Sequence, residues 1–187
     1  MQLEREIEFK TEINEREYNA LIKQFNLQNN IYKLTNHYFE TATKTLKKEG
    51  KTLRIRVKDD EEYQLTLKSS KRNIANEAHF TLKKDEAIKM ILEGFNLKHL
   101  FDKDINVYPY GKLTTYRCQM PYKDGELFFD KIEYYGITKY EIEYEAKYYG
   151  LGYKIFMNFL KEHNIKYIST IKKSGRVFNY LERNQTK

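Results

Sequence analysis

The sequence predicts a mainly β protein of the α+β class: an antiparallel barrel closed around a charged lumen, with helices packed outside. Three observations predict it. Several strand-like segments alternate apolar and charged residues with a period of two, which puts the two kinds on opposite faces. The charged faces carry one sign per strand: Glu6 and Glu8, then Arg54, Arg56 and Lys58, then Glu141, Glu143 and Glu145. Amphipathic helical stretches between the strands offer apolar stripes to cover the remaining face. Any one of these strands would also fit a sheet with a solvated face. The set favours closure, because acidic and basic walls sharing one lumen partly neutralise each other.

Composition agrees with a globular chain. Its 187 residues fit one domain, 1–187, large enough to bury a core. Hydrophobic residues make up 40% and charged residues 33%, a balance that excludes disorder. No apolar run is long enough for a membrane helix, and the chain opens on Gln2-Leu3-Glu4-Arg5-Glu6 without an apolar leader, so a cytoplasmic protein is expected. The one cysteine, Cys118, permits no internal disulfide and excludes a Cys-rich zinc site. A formal net charge of +7 points to anionic partners.

Taken in order, Leu3 to Lys10 is a strand with Leu3, Ile7 and Phe9 on one face and Glu4, Glu6, Glu8 and Lys10 on the other. Asn14 and Glu17 form a capping-box pattern before a helix with Tyr18, Leu21, Ile22 and Phe25 as its stripe. Residues 31–40 are strand-like, and 47–51 read as a polar turn. Thr52 to Lys58 alternates strictly, Asp59 to Glu62 is a hairpin turn, and Tyr63 to Lys68 returns. Ile74 to Leu82 is a further strand carrying Glu77. Lys84 to Phe95 is a helix closed by Gly94. Strand pattern resumes at 105–108 and 113–119, then at 126–132 and 140–145. Tyr153 to Asn164 is a helix with Ile155, Phe156, Phe159 and Leu160 on one side. The tail carries Lys172-Lys173-Ser174-Gly175-Arg176 and a short segment with some apolar residues.

A lumen lined by bases and carboxylates suits a polyanion with a hard cation: bases grip phosphate oxygens while carboxylates hold the metal. Carboxylate-only ligation argues for magnesium or manganese over zinc. His37, His79, His99 and His163 show no ligand spacing and read as structural or surface residues. Neither a Gly-x-x-x-x-Gly-Lys nor a Gly-x-Gly-x-x-Gly loop is present, so phosphate is not held in the P-loop manner.

Glu6-Ile7-Glu8-Phe9-Lys10 resembles the Glu-x-Glu-x-Lys signature of the CYTH superfamily, the triphosphate tunnel metalloenzymes. The order continues with Leu53-Arg54-Ile55-Arg56, Leu65-Thr66-Leu67-Lys68, Arg117, Asp130 and Glu141-Ile142-Glu143. It is similar above all to the small bacterial YjbK-like branch, through Leu113-Thr114-Thr115-x-Arg117 and Tyr140 to Glu145. The resemblance implies an eight-stranded antiparallel closed tunnel barrel and divalent-metal chemistry on triphosphates. It implies Glu6, Glu8, Glu141 and Glu143 as metal ligands. It implies Lys10, Arg54, Arg56, Lys68, Arg117, Lys173 and Arg176 as triphosphate contacts, with Lys10, Arg56 and Asp130 as the catalytic set. Glu77 and Glu145 have suitable chemistry as well. Many relatives carry a second base at the position of Thr115, a contact that Lys112 would have to supply here.

The expected activity is hydrolysis of inorganic tripolyphosphate or a nucleoside triphosphate, with Mg2+ or Mn2+ as cofactor. The alternatives within the superfamily are a class IV-type adenylate cyclase and a thiamine triphosphatase. In a different class stands a non-catalytic binder of polyphosphate or nucleic acid, for which the 17 tyrosines and 11 phenylalanines would offer stacking. Ladders of glutamate repel a phosphate backbone, so no nucleic-acid partner is expected, and no membrane partner either.

Overall fold

The computed structural model describes residues 2–71 and 73–185, with the side chains of Ser70, Lys71, His99 and Gln185 outside that description. Eight antiparallel strands close into a barrel. They are β1 (Gln2–Ile13), β2 (Tyr32–Glu40), β3 (Lys51–Lys58), β4 (Glu62–Lys71), β5 (Ile74–Leu82), β7 (Asn106–Tyr122), β8 (Gly125–Tyr134) and β9 (Ile137–Ala146). The order around the wall is β2-β3-β4-β5-β1-β9-β8-β7, and β7 pairs with β2 to complete the ring. The short β6 (Phe95–Asn96) adds to β7 alone. β1 divides its length between two neighbours: Gln2 to Ile7 pairs with β5, and Glu8 to Ile13 pairs with β9.

The apolar faces point outward, and two helical layers cover them. α1 (Glu15–Gln24) and α5 (Tyr149–Glu162) lie over β1, β8 and β9, burying Tyr18, Leu21, Phe156 and Phe159 among Phe9, Phe129 and Ile142. The capping box forms as its pattern predicts: Glu17 N donates to Asn14 Oδ1 at 2.9 Å and Asn14 N to Glu17 Oε2 at 2.8 Å. On the other side, α2 (Thr45–Lys48) and α3 (Lys84–Glu93) bury Leu46, Ala87 and Met90 against Leu53, Ile55 and Leu65. A single turn, α4 (Lys98–Phe101), follows β6. Among the described residues no helix is long and apolar enough to cross a membrane.

Four expectations change. The segments 105–108 and 113–119 belong to one strand, β7, whose continuity the Tyr-Pro-Tyr-Gly stretch disguised. Its pairing with β2 shifts register between Tyr38 and Phe39, opposite Gly111 and Pro109. A proline has no N–H to give the ladder, and a bulge is where a strand accommodates one. α5 starts at Tyr149 rather than Tyr153, because Gly150 and Gly152 weaken its first turn in sequence. A Cβ on Gly152 would sit 2.3 Å from that of Ala146, so the glycine lets the helix close onto the wall. The polar turn at 47–51 overlaps the helical turn of α2.

The fourth change matters most for function. The tail forms a helix, α6 (Lys173–Gln185). Its Val177, Phe178 and Leu181 pack with Tyr38, Leu113 and Ile132. Those three wall residues stand opposite Arg54, Asn36 and Thr115, so they belong to the lumen face. α6 therefore plugs one end of the barrel, where the outer helices only cover its sides.

Candidate active site

Strand register brings the charges together. Across β1 and β9, Glu8 faces Glu145, Lys10 faces Glu143 and Glu12 faces Glu141. Asp130 on β8 stands between Glu141 and Arg117. On the opposite wall, Lys68 pairs with Glu77, while Tyr38 and Asn36 flank Arg54 and Arg56. Directly opposed residues share a face, so all of these point into the lumen.

The carboxylates form two groups. Oxygens of Asp130, Glu141 and Glu143 lie within 4.8 Å of one another, as do those of Glu6, Glu8 and Glu145. The first group is neutralised by the protein itself. Lys173 Nζ sits 2.8 Å from Asp130, 3.3 Å from Glu141 and 2.5 Å from Glu143. Arg117 makes two 2.7 Å bonds to Asp130 and a further bond to Glu143. Arg176 bonds Glu141 and Thr170. Burial opposes ionisation of Asp130 and Glu143, yet the adjacent Arg117 and Lys173 outweigh it and hold both below the usual carboxylate range.

The second group has too few cations. Lys10 lies 3.0 Å from Glu8 and leans toward Glu143 at 4.0 Å. Lys68 lies 2.6 Å from Glu6 and also bonds Glu77. Glu145 makes no ion pair among the described residues; burial, then Glu6, Glu143 and Glu8, push its carboxyl up to about 8. An under-neutralised carboxylate triad on rigid strands has the donor chemistry of a hard divalent cation. The residues present therefore fit such an ion.

Facing the triad are bases with the opposite need. Arg56 donates from Nε to Asn36 Oδ1 at 3.0 Å but makes no ion pair among the described residues. Burial, with Arg54 and Arg117 nearby, brings its pKa down to about 10. Among the described residues Arg54 pairs only with Glu77, at 3.6 Å, and its buried Nε has no hydrogen-bond partner. A cavity of about 260 Å³ lies between these walls.

Glu6, Glu8, Lys10, Arg54, Arg56, Lys68, Arg117, Glu143 and Lys173 line this cavity. Asp130, Glu141 and Arg176 do not; Asp130 holds Arg117 and Lys173, and Glu141, itself bonded by Arg176, also contacts Lys173. Glu145, on the same strand face as Glu141, lines the cavity where Glu141 does not. Lys112 faces outward opposite His37, so it cannot supply the base missing at Thr115, whose buried hydroxyl has no partner. His79 is on the lumen wall, hydrogen-bonded through Nδ1 to Thr66 at 3.0 Å, and His163 packs on Phe25 and Phe159. His37 is on the outer face, and the side chain of His99 is outside the described residues. Sequence reading missed Asn36 and Tyr38, although their alternation with Thr35 and His37 carried the signal. It also missed Tyr167, Ser169 and Thr170, which line the cavity and which no strand pattern marks.

A family model described as CYTH domain matches residues 4–178. A Bacillus subtilis (strain 168) protein, "Putative triphosphatase YjbK", is 30% identical over 184 residues, covering 95% of this chain and 96% of that protein. A Bacillus halodurans structure described as "a putative adenylate cyclase" superposes with a TM-score of 0.83 at 32% identity, over 94% of this chain and 98% of that one. A Hippeastrum protein, "Putative adenylyl cyclase HpAC1", described as revealing a dominant triphosphatase activity, superposes at 0.71 with 19% identity over 94% and 95% of the two chains. The last likeness establishes the fold alone.

Proposed function

Because the chain belongs to the CYTH domain family, we propose that it is a divalent-cation-dependent triphosphatase acting on a small-molecule triphosphate inside the barrel, with residues 1–187 working as one domain. The observation that carries this reading is the mismatch across the cavity. Among the described residues Arg56 pairs with no carboxylate and Glu145 with no cation. A metal–triphosphate satisfies both at once.

Glu6, Glu8 and Glu145 would hold magnesium or manganese, with Glu143 beside Lys10 as the adjoining carboxylate. Such an ion supplies Lewis-acid polarisation of phosphate oxygens. Arg54, Arg56, Lys68 and Arg117 hold the phosphate chain, and Lys10 and Lys173 bring ammonium groups to the same space. Hydrolysis breaks one P–O–P bridge by in-line attack of water, and no side chain need act as a covalent nucleophile. The work of the protein is to orient the chain and to stabilise charge as it develops on the phosphoryl oxygens. Asp130 acts through Arg117 and Lys173, keeping both fixed. The plug of α6 excludes bulk water from the inner end.

Phosphate release from tripolyphosphate, ATP, GTP and thiamine triphosphate, with magnesium or manganese, tests the reading. Glu8→Ala and Arg56→Ala should each lower turnover by roughly 10²-fold or more, with circular dichroism unchanged. Wild-type phosphate release by either folded variant would sink the assignment. Cyclic AMP with pyrophosphate from ATP would identify a cyclase instead. Magnesium-independent binding of polyphosphate or single-stranded nucleic acid without hydrolysis would identify a binding protein.

A further inference from the structure

The rim of the cavity differs in chemistry from its interior. Residues 165–172 form neither helix nor strand and run as a strap alongside β1. The strap is pinned at its centre. Ile168 N donates to Thr11 Oγ1 at 2.7 Å, Thr11 Oγ1 donates to Ile168 O at 3.3 Å, and Glu12 N donates to the same carbonyl at 3.3 Å. Thr170 Oγ1, donating to Glu141 at 2.9 Å, fixes its far end.

Tyr167, next to the pinned residue, lines the cavity while 47% exposed. Among the described residues its ring stacks on no other ring and its hydroxyl makes no hydrogen bond. Tyr18, Tyr122, Tyr140 and Tyr144 all have ring partners. Asn73, from the turn between β4 and β5, also lines the cavity. The Asn73 carbonyl accepts from Glu8 N at 3.0 Å, but its carboxamide is unengaged among the described residues. An unstacked aromatic ring and a free carboxamide therefore meet at the mouth of a highly charged chamber.

We propose that Tyr167 and Asn73 form a base-binding subsite, so that the substrate is a nucleoside triphosphate whose base rests on the rim and whose phosphates lie inside. This rests on the triphosphatase reading and narrows its substrate class. An aromatic side chain stacks on any nucleobase, because each has a π-face. A carboxamide offers two donors and an acceptor, which suits a base edge. The charged interior offers no apolar lodging for a base, so the base stays at the mouth. Lys172 also lines this rim, which disfavours the cationic ring of thiamine triphosphate.

Equilibrium binding and kcat/KM for magnesium complexes of ATP, GTP and tripolyphosphate test the subsite in wild type, Tyr167→Ala and Tyr167→Phe. Tyr167→Ala should weaken ATP and GTP by about 10-fold and leave tripolyphosphate unchanged, while Tyr167→Phe retains nucleotide affinity. Asn73→Ala should shift the ratio of ATP to GTP affinity. Equal weakening of all three ligands by Tyr167→Ala would overturn the proposal, since it would mean the strap had moved. Unchanged ATP affinity, or a loss confined to thiamine triphosphate, would overturn it as well. Failure of ATP, GTP and tripolyphosphate alike to be hydrolysed refutes the parent reading instead. The subsite is still judged then, by calorimetry, from the ATP-to-tripolyphosphate affinity ratio.

Discussion

Lys173 supplies an internal cation to Asp130, Glu141 and Glu143. Burial opposes its charge, but Asp130, Glu143 and Glu141 hold its pKa well above the ordinary lysine value. Three carboxylates this close are tolerable only with a cation among them, and here the cation is part of the chain. Removing it should be costly. Lys173→Met should lose about 3–5 kcal/mol of stability at neutral pH, the usual cost of leaving buried charge unpaired, measured by urea denaturation. If the loss is below about 1 kcal/mol, the range typical of exposed ion pairs, then Lys173 is not the neutralising ion. The same contrast explains why the sequence alone does not separate the carboxylates into their two groups. Glu141, Glu143 and Glu145 are chemically equal on one strand face. Only long-range contacts decide that Glu141 meets Arg176 while Glu145 joins Glu6 and Glu8.

Among the elements, α6 is the one that turns an open barrel into a blind chamber. It approaches β7 at Gly111, where a Cβ would lie 2.5 Å from Val177 Cγ1 and 2.9 Å from Leu181 Cδ1. Gly111→Ala should therefore push the plug outward and cost about 1–3 kcal/mol, as overpacking does. Chemical denaturation gives the cost, and faster hydrogen exchange across 173–181 locates it. Unchanged exchange there would show that the plug does not depend on this contact. α6 was illegible in sequence for a physical reason. Its first turn contains Ser174 and Gly175, poor helix formers, and its stripe is only Val177, Phe178 and Leu181. Such a helix owes its stability to the tertiary surface it covers. β1, β3 and β9 were legible because strict alternation of charge and apolar residues is a local signal that needs no partner. Arg54 and Arg56, or Glu6 and Glu8, could be assigned to the lumen on parity alone. The strap at 165–172 has no periodicity, so Tyr167 and Thr170 could be placed only by the fold.

For the whole molecule, a lumen built from charge makes stability a function of pH on both sides. On the acid side, burial disfavours ionised Glu77, yet Arg54 and Lys68 outweigh it and bring its carboxyl down to about 2. A carboxyl held below its unfolded value stabilises the fold above the unfolded pKa, near 4.5, and that contribution is lost as pH falls from 4.5 toward 2. Asp130 and Glu143 are depressed too and act in the same direction. Glu145 has the opposite sign. With its folded value near 8, it keeps its proton while the unfolded chain ionises at about 4.5. Its contribution is present in full below 4.5 and declines as pH rises through 8. In the presence of a chelator, the unfolding free energy should therefore fall on the acid side of 4.5 and again between 4.5 and 8. Glu145→Gln should shrink the second decline, leaving only the part due to Glu6, whose burial also raises its carboxyl, and leave the first intact, because an amide mimics the protonated carboxyl at every pH. Adding magnesium should also reduce that decline in the wild type, since an ion at the triad favours the ionised form, and should have little effect on Glu145→Gln. A variant whose stability still drops as far as the wild type between pH 4.5 and 8 would mean that Glu145 is not the source of the decline.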